Sequence, residues 1–128
     1  MVERGALEAV IAHWRWASQE GRGGMDWKIR VREYAQRDAY ARASAEAERT
    51  AGEGDEALLR LAASWRERCL AGWLPDDVPA PEPPPARPGR APRPPMPESE
   101  RRREQQIGYA LALAACASQL YDVAGGAL

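Results

Sequence analysis

Apolar residues recur at helical spacing in three stretches at the front of the chain and one at the back. In the first, Leu7, Val10, Ile11, Trp14 and Ala17 share one face of a helix spanning 6–19, while Glu8, Arg15 and Gln19 lie elsewhere. Gly21 and the glycines after it then make a turn. Trp16 lies opposite the apolar stripe and is the first candidate for a partner contact. Asp26 is placed to cap a second helix that runs to about Arg49. Two stripes run along it, Trp27, Val31, Tyr34, Ala41 and Ala45 on one side and Ile29, Tyr40, Ala43 and Ala47 nearly opposite. A helix apolar on two sides is central in a bundle or half-covered by a partner. The alternation over Trp27–Arg32 also fits a strand, but the Ala, Glu and Arg residues of 35–49 favour helix. After a loop at 50–55, with Asp55 as the expected cap, a third helix over 56–73 carries Leu58, Leu61, Ala62, Trp65, Cys69 and Trp73 on one stripe. Short Gly-containing turns predict an antiparallel arrangement of these three helices.

All 11 prolines lie between Pro75 and Pro97. Each ring removes a backbone donor and fixes φ near −65°, so this block is neither helix nor central strand. It predicts an extended spacer between a helical domain at 1–74 and a C-terminal helix at 98–128. In polyproline geometry the spacer would reach ~70 Å, more than closing a bundle in cis requires, and this excess favours docking of the last helix in trans. Pro85, Pro88 and Arg90 also fit the pattern read by proline-binding domains, although a proline run with scattered arginines matches it by chance.

The last segment opens with charged turns at 98–104 and then carries no charge from Ile107 to Ala117. Tyr109, Leu111, Leu113, Leu120, Tyr121 and Val123 point all round the helical wheel. Such a helix has to be covered by something: the front of its own chain, a second copy or another protein. The uncharged run is short for a membrane span of ~20 residues, and Gln119 and Asp122 interrupt its extension.

Charge and chemistry narrow the function classes. The 18 basic and 19 acidic residues nearly cancel, which argues against a general nucleic-acid binder. Lys28, Arg30, Arg32 and Arg37 give the second helix a local basic excess that a regulator of nucleic acid could use. Glu33 and Asp38 dilute it, and i,i+4 pairing on a solvated face accounts for it. The single histidine, His13, precludes multi-histidine metal sites. No nucleophile elbow, phosphate loop or dinucleotide fingerprint is present, so no catalytic residue, cofactor or metal is assigned. Cys69 and Cys116 are too few for a disulfide framework and fit buried thiols. The N-terminus lacks the pattern of a secretory signal, which points to the cytoplasm.

The expectation is therefore an all-α protein: a three-helix N-terminal unit, a proline-rich linker and a C-terminal apolar helix packing in cis or in trans. Its expected function is non-enzymatic, that of a small adaptor, inhibitor or accessory subunit docking through helices onto a protein partner or a second copy. The expected contact residues are Trp16, Ile29, Tyr40, Tyr109, Leu113 and Leu120. The alternatives are nucleic-acid regulation through the second helix and peripheral membrane attachment through 107–117, preceded by Arg101–Arg103.

Overall fold

Local signals in the sequence set the element boundaries. A computed structural model of the chain describes residues 4–19, 26–82, 88–89, 91 and 96–125. All regular elements among them are helices: α1 (Arg4–Gln19), α2 (Trp27–Ala51), α3 (Asp55–Leu70) and α4 (Glu98–Gly125). The expected glycine turn at 21–24 and the Pro85–Arg90 motif lie wholly or mostly outside the described residues. Asp26 caps α2 as expected, its carboxylate accepting from the Lys28 N–H at 2.9 Å. Asp55 is the first residue of α3 rather than its cap, which is Gly54 at φ 102°. There its charge complements the helix dipole.

The third helix ends three residues earlier than its apolar stripe suggests, for a definite reason. Gly72 takes a left-handed conformation at φ 68°. Its N–H donates to the Cys69 carbonyl at 3.2 Å and the Trp73 N–H to the Arg68 carbonyl at 2.9 Å. These two bonds form a Schellman stop. The Arg68 guanidinium lies over the Trp73 ring, 4.8 Å from its centroid, closing the motif from the side.

The ion pairs and contacts give the helix directions. Trp65 and Arg68 both reach Glu46, so α3 runs back along α2. Cys69 meets Ala110, and Gly125 lies against Leu59, so α4 runs antiparallel to α3. Lys28 pairs with Glu100 and Arg32 with Glu104, four residues on in each chain segment, so α2 and α4 run parallel. This parallel pair makes the most extensive contact in the molecule.

Small residues allow that contact. The face that α2 buries is Val31, Ala35, Ala39, Ala43 and Ala47, one residue per turn. It takes Val31 from one expected stripe and Ala43 and Ala47 from the other and matches neither whole: Ala41 and Ala45 are exposed, and Trp27 and Tyr34 are half-buried. Wheel reasoning gives large side chains most weight, whereas close-packed helices select small ones at the contact. On α4 the matching position is Gly108, where a Cβ would sit 2.3 Å from the Arg32 carbonyl oxygen. No side chain fits there at this separation of the two backbones.

The core has its bulk at the other end. Trp14 and Trp65 are fully buried and meet edge to face at 5.8 Å between ring centroids. Their indole N–H groups are satisfied, Trp14 donating to the Gln119 Oε1 at 2.6 Å and Trp65 to the Glu46 Oε2 at 3.2 Å. Leu7, Ile11, Leu58, Tyr109, Leu113, Cys116 and Leu120 complete this cluster. Of the core expected from the sequence, Val10, Leu61 and Cys69 are half-buried against it. Both cysteines are free thiols, and burial pushes each above its ordinary pKa.

The apolar C-terminal helix thus packs in cis. Part of the expected spacer packs too. Val78 belongs to the core beside Leu74 of the preceding domain, and Pro75 and Pro81 are buried. The first turns of α4 hold this segment by its carbonyls: Gln106 donates to Gly72 at 3.0 Å, Arg102 to Pro75 at 3.2 Å and Gln105 to Val78 at 3.2 Å. Arg42 of α2 holds Asp77 at 2.7 Å. Residues 72–82 therefore form a strap across the α2/α4 pair before the chain turns into α4.

Candidate functional site

A helix with apolar residues all round has two faces to satisfy, and α4 satisfies one. Glu104, Gln105, Gly108, Tyr109, Ala112, Leu113, Cys116, Ala117 and Leu120 are buried. Ile107, Leu111, Ala114, Ser118 and Tyr121 project from the opposite side and are all exposed. They succeed one another at intervals of four and three residues, the spacing of a helix–helix seam. Leu111 and Tyr121 are each 58% exposed.

The neighbouring helix continues this face. Leu59, Ala63, Arg66 and Leu70 follow the same spacing along α3, and Leu70 is 85% exposed. Between the two helices runs a groove of about 500 Å³, lined by Leu59, Ala63, Leu70, Ala114, Ser118 and Tyr121 among others, and by the charged Arg66 and Glu67. Its floor is made by alanines. Beside them stand Leu59, Leu70 and Tyr121 together with the charged Arg66 and Glu67. An antiparallel helix pair with such a floor offers the shape into which one face of a third helix fits.

The residues expected to contact a partner divide between surface and core. Trp16 is 58% exposed, stacks on His13 at 5.8 Å and lies on α1, away from the groove lining. Ile29 is exposed near the start of α2. Tyr40 is half-buried against the core, and that burial raises its pKa. Tyr109, Leu113 and Leu120 are buried inside the chain's own core, so they present no surface. Burial also drives the Tyr109 phenol well above its ordinary pKa. Wheel analysis identified an all-round apolar helix but not which side faces inward. Ile107, Leu111 and Tyr121 were left out of the expected contacts for that reason, and Leu70 lies off the expected α3 stripe.

The basic residues of α2 have structural partners. The Lys28 ammonium lies 2.9 Å from the Glu100 carboxylate, and this hydrogen bond raises its pKa. Arg32 donates to Glu104. Arg37 donates to the Ser18 carbonyl at 3.1 Å and lies over the Tyr34 ring. Arg30 is half-buried on the same helix. A smaller groove of about 310 Å³ lies beside Arg37, Tyr34, Asp38 and Pro79. Among the described residues no cluster of three His, Cys, Asp or Glu side chains is placed to hold a metal ion.

Helix α4 also contains an 18-residue window of mean hydropathy 1.3, long and apolar enough by composition to cross a membrane, whereas its uncharged run alone was expected to be short for a span. In this fold 39% of that window is buried inside the protein. Comparison with known proteins gives no match to a family model, none to a curated protein and none to a solved structure.

Proposed function

We propose that this chain is a non-enzymatic interaction protein that works by docking a helix into the groove between α3 and α4. One observation carries the reading: Leu59, Ala63 and Leu70 on α3 and Ala114 and Tyr121 on α4 line a groove that remains open after the core is complete. Exposed patches of this kind mark association surfaces. The ion pairs of Lys28 and Arg32 with α4 weigh against nucleic-acid regulation through α2, since those cations are engaged within the fold.

Replacing Leu111 by Glu puts a charge on the exposed seam of α4, one turn before Ala114 of the groove lining, without touching the core. Affinity-tagged wild-type and Leu111→Glu chains, purified from the native host, should differ in what they retain. Bound protein, whether a second copy or another chain, is expected with the wild type and lost with the variant, at an unchanged melting temperature. Retention of the same proteins by both would refute the groove as the docking site. Salt-labile retention of the wild type on heparin, unaffected by Leu111→Glu, would replace this reading with nucleic-acid binding.

A further inference from the structure

We draw no further inference here: the strongest candidate, the exposed apolar face of α4 beside the α3/α4 groove, belongs to the docking site already proposed, and nothing in the structure shows what covers it.

Discussion

Removal of residues 98–128 is expected to abolish cooperative folding. Helix α4 fills the space that α1, α2 and α3 leave between them, and it supplies Tyr109, Leu113, Cys116 and Leu120 to the core. Burying a large apolar side chain contributes ~1.5–3 kcal/mol, so losing Tyr109, Leu113 and Leu120 removes an amount comparable to a whole domain's stability of ~5–15 kcal/mol. The loss also uncovers the alanine face of α2 and one side of Trp14 and Trp65. It further frees the strap, whose carbonyls at Gly72, Pro75 and Val78 accept from Gln106, Arg102 and Gln105. Helices of 16 residues such as α1 and α3 are marginal once their packing surface is gone. A thermal melt followed by circular dichroism should show low helicity and no transition. A truncated chain melting within a few degrees of the full one would contradict the packing described.

Trp65→Ala should be the most damaging single truncation, costing ~3–5 kcal/mol. The indole is fully buried, and its edge contact with Trp14 adds to the loss. The change also removes the donor that Glu46 accepts, although Arg68 still bonds that carboxylate at 3.2 Å. Urea unfolding should show a lower midpoint at unchanged slope. A cost under about 1 kcal/mol would place Trp65 outside the core.

Much of this fold was legible in the chain. Leu7, Ile11, Trp14, Leu58 and Trp65 announce their faces because large apolar residues at helical spacing dominate any wheel. Asp26 announces its helix because capping depends on one side chain. The alanine face of α2 was not legible in that way. Ala35 and Ala39 look no different from Ala41 and Ala45 until a partner helix is present, and Gly108 gains its meaning only from the Arg32 carbonyl facing it. The excess reach of the proline segment favoured docking of α4 in trans. Reach is only an upper limit, and residues 72–82 use part of the segment as a packed strap. The groove was hidden for a related reason. An all-round apolar helix says that both sides need cover, and only the packing shows that Tyr109 and Leu120 face inward while Leu111 and Tyr121 face out.

The account turns on α4 having one face committed to its own chain and the other left exposed. Residue-resolved amide hydrogen exchange on the Leu111→Glu chain, chosen to oppose the proposed association, tests that commitment directly. Amides across residues 105–120 should be protected as strongly as those around Trp65 in α3, opening only with the whole molecule. Rapid exchange throughout α4, with α1, α2 and α3 still protected, would show that the helix is held by a partner and not by the core, and would contradict the account.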